Sequence, residues 1–112
     1  MYGELKIKDP KGEEVTIPML ANAATPIRFK MLFHSDLLSG IMGSTGEFDF
    51  DVVSKMAFVM AKQAAKVDMS KLNEQQYVEW LEDYDSMAFI TAAQDIMSIY
   101  TGSKDGNSKS KK

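Results

Sequence analysis

Residues 20–41 read LANAATPIRFKMLFHSDLLSGI, and this stretch decides the fold. Thr25 in the N-cap position and Pro26 at the first helical position form a strong helix-start signal. The predicted helix runs from about residue 26 to residue 41, with Phe29, Phe33, Leu37 and Ile41 at i+4 spacing along one apolar stripe. Arg28 and Lys30 then fall in the first turn, where the positive end of the helix dipole disfavours cations by roughly a few tenths of a kcal/mol each. A helix that keeps the wrong charge at its mouth beside a heavy apolar stripe points to a surface meant for a partner.

On the N-terminal side of this helix, Tyr2–Lys8 alternates, with Leu5 and Ile7 on one side and Glu4, Lys6 and Lys8 on the other. Asp9-Pro10-Lys11-Gly12 is a turn signal, and residues 14–17 resume the extended pattern through Val15 and Ile17. The pattern predicts a β-hairpin over about residues 2–17. A lone hairpin is marginal in water, so it must pack on helices or pair with another edge.

On the C-terminal side, residues 42–47 form a Gly/Ser/Thr loop, with Gly40 and Gly43 ending the first helix. A second helix is expected from Asp49 or Asp51 to about Val67, with the stripe Val52, Met56, Val59, Met60, Gln63 and Val67. Acids in its first turn and Lys62 and Lys66 in its last suit the dipole. A third helix starts near Ser70 or Asn73 and carries Tyr77, Trp80, Leu81 and Tyr84. A fourth, capped by Asp85 or Ser86, buries Phe89, Ala93, Ile96, Met97 and Tyr100 and stops at Thr101-Gly102. The fold class is therefore mainly α, about four helices in a small bundle with an N-terminal β-hairpin. Residues 1–102 form a single domain, and the Lys/Ser-rich tail, residues 103–112, is expected to be disordered.

Composition narrows the function. The chain has 112 residues and no Cys, which excludes disulfides and thiolate metal sites. The opening residues MYGELKIK carry no apolar signal-peptide region, and no apolar run approaches a membrane span. A soluble intracellular protein is expected. The net charge of −3 hides a segregation. Residues 72–103 hold no Lys or Arg but six acids: Glu74, Glu79, Glu82, Asp83, Asp85 and Asp95. Such a block repels phosphates, which argues against a nucleic-acid partner and against a helical DNA-binding regulator, whose recognition helix would lack cations. Its plainer reading is a solvated acidic face.

Catalytic signals are weak. His34 is the sole histidine and precedes Asp36 by two residues, a spacing that turns the side chains apart on a helix. Ser35 and Ser39 lack a base or a nucleophile-elbow pattern. Glu47, Asp49 and Asp51 do not follow an EF-hand spacing and read as helix-start acids. Gly40, Gly43 and Gly46 lack the GK[ST] of a phosphate loop. No catalytic residue, metal ligand or cofactor is expected. Nine methionines are more telling, since Met fills cores and also suits adaptable apolar binding surfaces. Trp80, beside Glu79, Glu82 and Asp83, reads either as an interface anchor with a charged rim or as a core residue of a helical hairpin.

The ordered residues of residues 20–38, an apolar-Ala-Asn-x-x-Thr-Pro-x-Arg-Phe-Lys-x-Leu-Phe-x-x-Asp-Leu-Leu pattern, resemble the tail assembly chaperones of long-tailed bacteriophages of Gram-positive bacteria. The likeness continues through SKMAFVMAKQA, residues 54–64, and YVEWLEDYD, residues 77–85, and covers roughly residues 15–102. The resemblance implies a non-enzymatic assembly factor of the bacterial host cytoplasm. It would coat the tape-measure protein, keep it soluble and present it to tail-tube protein, in some cases through a longer frameshifted form. It also implies a homo-oligomer, a ring or helical filament. Partner-binding candidates are Arg28, Lys30, Phe33, Leu37, Trp80 and Tyr84, with the basic helix mouth of one copy meeting the acidic face of the next. The alternative is a structural connector or completion protein retained in the virion.

Overall fold

The computed structural model describes residues 2–34 and 50–102. Two antiparallel strands, β1 (Tyr2–Lys8) and β2 (Glu14–Leu20), open the chain. Leu5 pairs with Ile17 and Gly3 with Met19, which puts the apolar residues of both strands on one buried face. The turn is built by Asp9, whose carboxylate accepts the N–H groups of Lys11 and Glu13 at 2.9 Å each. Gly12 follows at φ 87°, a left-handed conformation that glycine adopts without a Cβ clash. The second strand runs three residues past the predicted end at Ile17, through Pro18. Both strands of a two-stranded sheet are edges, so the missing N–H of a proline is tolerated there.

Helix α1 spans Ala24–Phe33. It starts earlier than Thr25 and Pro26 predict, because Asn22 organises the turn. The Asn22 carboxamide oxygen accepts the Ala24 N–H at 2.9 Å, and the Asn22 N–H donates to Thr25 Oγ1 at 3.0 Å. Pro26 thus sits third in the helix, still among the first-turn residues whose N–H has no partner within the helix. The helix ends at His34, in the left-handed region at φ 59° with its N–H on the Lys30 carbonyl, well before the predicted residue 41. Two expectations change with these bounds. Arg28 lies mid-helix, and Lys30 lies in the last turn, where the dipole favours a cation. The predicted charge conflict at the helix mouth does not exist. Leu37 and Ile41, with Ser35, Ser39, the loop glycines, Glu47 and Asp49, lie outside the described residues, as does the C-terminal tail.

Helix α2 (Phe50–Ala64) is the centre of the molecule. Val53, Met56, Ala57, Phe58, Val59, Met60 and Ala61 are all buried, so it is enclosed nearly all round rather than along the single predicted stripe. It ends in a Schellman motif. The Val67 N–H reaches the Lys62 carbonyl and the Lys66 N–H reaches Gln63, both at 3.1 Å, with Lys66 at φ 60°. Val67 lies beyond this end and is exposed, not part of the buried stripe.

A 3₁₀ turn at Met69–Lys71, capped by Asp68, leads to α3 (Glu74–Leu81). Asn73 and Gln76 form a reciprocal capping box, which fixes the start that the sequence places at Ser70 or Asn73. Helix α3 closes with i→i−3 bonds from Glu82, Asp83 and Tyr84. Tyr84 therefore lies past the helix, where Glu79, Glu82 and Asp83 crowd the negative end of the dipole. The predicted fourth helix is broken in two, α4 (Ala88–Thr91) and α5 (Ala93–Thr101), by Ala92 at φ −95° and ψ 6°. The cap predicted at Asp85 or Ser86 falls instead on Met87, which makes no side-chain capping bond; the Asp85 carboxylate accepts the Met87 N–H at 3.0 Å and so shapes the turn just before the helix. Among the described residues the molecule thus has five helices, one of a single turn, with α2 at the centre and the hairpin packed on α2 and α5. Gly3 marks that last contact, since a Cβ there would lie 3.0 Å from Ile99.

Gln63 joins three of these elements. It is buried, and its Nε2 donates to the Leu20 carbonyl at 2.6 Å and to Thr25 Oγ1 at 2.9 Å. Its Oε1 accepts from Arg28 at 3.0 Å. Replacing Gln63 by Leu removes those partners from inside the fold, and we expect a loss of about 2–3 kcal/mol in urea unfolding. Replacing Lys66 by Gly relieves a left-handed Cβ and should raise stability by about 0.5–1 kcal/mol in the same assay.

Candidate functional site

A line of aromatic rings runs across the helices. Phe29 and Phe33 of α1 lie 5.1 Å apart, Phe33 meets Tyr77 of α3 at 5.2 Å, and Phe58 of α2 meets Trp80 at 5.3 Å. Trp80 then contacts Tyr84 at 5.1 Å and Phe89 of α4 at 5.2 Å. The edge-on geometries are the favoured ones for ring quadrupoles, each worth about 0.5–1.5 kcal/mol beyond area burial. This line settles where the candidate residues stand. Phe33 is buried in the core, under the Lys55 ammonium at 5.2 Å. Trp80 and Tyr84 are half-buried, each with one side in this cluster. Arg28 is half-buried and tied to Gln63, while Lys30 is exposed.

Two concave surfaces flank this core. The first, about 410 Å³, lies between α1 and the 3₁₀ turn and is lined by Met31, Leu32, Met69 and Leu72, with Arg28 and Glu74 at its polar edge. The second, about 330 Å³, lies at the other end of α2 and is lined by Leu81, Tyr84, Phe89 and Ile90, with Asp51 and Asp85 on its rim. Large apolar side chains stand exposed beside both. Ile27 is 60% and Met31 70% accessible near the first, and Met87 is 50% and Ile90 42% accessible near the second. Isolated exposed apolar residues are ordinary, but clusters on helix faces beside grooves mark interaction surfaces.

Sequence reasoning did not single out Ile27, Met31, Met87 or Ile90. Ile27 and Met31 are four apart and both off the Phe29–Phe33 stripe, so a second apolar side of the same helix was the available signal. The carboxylates of the second groove are not a metal cluster. Among the described residues no group of three or more His, Asp or Glu is placed to hold an ion. Asp51 is paired to Lys55 at 3.0 Å, as a first-turn acid. Among the described residues, no helix is long and apolar enough to cross a membrane. Compared with protein families, with curated proteins and with solved structures, the chain has no significant match.

Under the second groove, Ser54 and Tyr77 share a buried hydrogen bond of 2.6 Å, and Ser54 Oγ donates to the Asp51 carbonyl at 3.1 Å. Burial pushes the Tyr77 phenol above its ordinary value of 10.0, with the Ser54 bond opposing and Asp51 adding to the rise. Burial, aided by Asp83, raises Tyr84 as well. A phenol whose folded pKa exceeds its unfolded one stabilises the fold below the unfolded value and loses that contribution as pH climbs through the folded value. Thermal stability should therefore fall as pH rises above 10.0, and Tyr77→Phe should flatten that fall in melts recorded across alkaline pH.

Proposed function

We propose that this protein is a holder of another polypeptide: a tail assembly chaperone that binds the tape-measure protein during phage tail assembly and helps recruit tail-tube protein. The observation that carries the proposal is the methionine-lined groove beside α1, with exposed Met31 on its wall. Unbranched Met side chains repack around clients of varied shape, which suits a long apolar helical chain presenting different segments. The resemblance supports the same reading. Its quoted segments fall mainly on α1, α2 and α3, which carry most of the ring cluster, and the first of them supplies the α1 wall of the groove. A client longer than one such groove needs several copies along it, which fits a homo-oligomer in ring or filament form acting in the bacterial host cytoplasm.

Co-expression with a phage tape-measure protein tests the proposal. The client should appear in the soluble fraction and co-purify with the chain, and Met69→Glu with Leu72→Glu, both in the groove and off the outer side of α1, should reduce recovery by tenfold or more. A client that stays insoluble and unbound with the wild-type chain would overturn it. Purified virions, analysed by mass spectrometry, should lack the chain; its presence there would favour a structural connector.

A further inference from the structure

We infer that the exposed ridge of α1 in one copy seats in the acidic groove of the next. This deepens the self-association named above but rests on the two surfaces themselves and needs no client. At 100° per residue, Ile27 and Met31 lie within about 40° of each other on the outer side of α1. Arg28 stands on one flank of that line and Lys30 on the other. The result is an apolar ridge with a cation on each side. The groove is its counterpart: Tyr84, Phe89 and Ile90 form an apolar floor, and the turn over residues 82–87 adds exposed Glu82 and Asp83 beside Asp85. Among the described residues, two lysines adjoin this groove. Lys55 is paired with Asp51, and Lys8 is exposed, its carbonyl accepting the Asp85 N–H at 2.8 Å. The acids outnumber them.

The two surfaces cannot meet within one chain. Arg28 is bonded to Gln63 near the C-terminal end of α2, whereas the groove takes in Asp51 and Ser54 at its N-terminal end. The 9 to 12 residues of helix between Gln63 and Ser54 or Asp51 span about 14–18 Å. Contact between two unlike surfaces of successive copies is heterologous, so each added copy leaves a ridge and a groove open.

Sedimentation velocity on the purified chain tests this. In low salt the wild type should show a weight-average mass at least twice the monomer's 12.5 kDa, falling toward the monomer in about 0.5 M salt, where screening shortens to a few Å. A ridge variant, Ile27→Glu with Lys30→Glu, and a groove variant, Asp83→Lys with Ile90→Lys, should each be folded monomers by circular dichroism. Mixed together they should form a one-to-one dimer and stop there, since one keeps a groove and the other a ridge. A wild type that stays monomeric in low salt, variants that assemble like wild type, or a mixture that stays monomeric would each overturn the inference. Should a variant fail to fold, the single changes Lys30→Glu and Asp83→Lys must still halve the low-salt association, or the inference fails. None of these outcomes depends on whether the tape-measure protein binds.

Discussion

The Gln63 carboxamide is the interaction on which the arrangement of this molecule depends. Both of its N–H donors and one acceptor site are used, on partners 35 to 43 residues away in sequence. They come from the end of β2, the first turn of α1 and the middle of α1. An apolar residue in the same place would bury similar area but would leave the Leu20 carbonyl, Thr25 and Arg28 to find other partners inside the fold. Hydrogen bonds in a low-dielectric interior are directional in a way that apolar packing is not. Gln63 therefore fixes which end of α1 lies against the C-terminal end of α2. The Lys55 ammonium over the Phe33 ring marks the opposite end, so α1 runs antiparallel to α2.

That orientation decides what the rest of the surface can do. With α1 held by Thr25, Phe29, Leu32 and Phe33 turned inward, Ile27 and Met31 must face out. The same constraint sets the methionine-lined groove, because the chain leaving α2 through the Lys66 turn folds back past Arg28 before α3 begins. The ring line from Phe29 to Phe89 then braces α3 and α4 against α2. Rigid aromatic packing below and pliable methionines above make a surface that adapts locally without the fold moving beneath it.

Much of this was legible in the residues. The hairpin alternation, the helix over SKMAFVMAKQA and the Asn73 start are local signals, and each appears where its chemistry predicts. The bounds of α1 were not legible, for two reasons. Pro is tolerated anywhere in a first turn, so Thr-Pro does not mark the first helical residue; the Asn22 side chain does. And His34 in the left-handed region is a stop announced only by the mild tolerance of histidine for positive φ, against an apolar stripe that continues past it. The splitting of the last helix at Ala92 has no sequence signal, since alanine is the best helix former. Gln63 appeared in the stripe of α2, but its partners lie too far along the chain for periodicity to reveal. Of the candidate site residues, Arg28 and Lys30 were placed by the wrong argument, a dipole conflict at a helix mouth. They matter instead as the flanks of an outward ridge.

The segregation of charge gives that ridge a particular meaning. A bare apolar ridge would pair with any apolar surface, including its own copy. Two ridges brought together would oppose Arg28 and Lys30 with the same residues of the partner, and two grooves would oppose Glu82, Asp83 and Asp85 with themselves. Like charges facing across a contact are destabilising, so both self-complementary dimers are disfavoured by the arrangement that favours ridge on groove. The apolar residues supply the attraction, and the charges select which surfaces use it. A closed two-fold dimer would stop at two copies, whereas the proposed ridge-on-groove pairing leaves one of each surface open and continues, as the proposed role on a client longer than one copy requires.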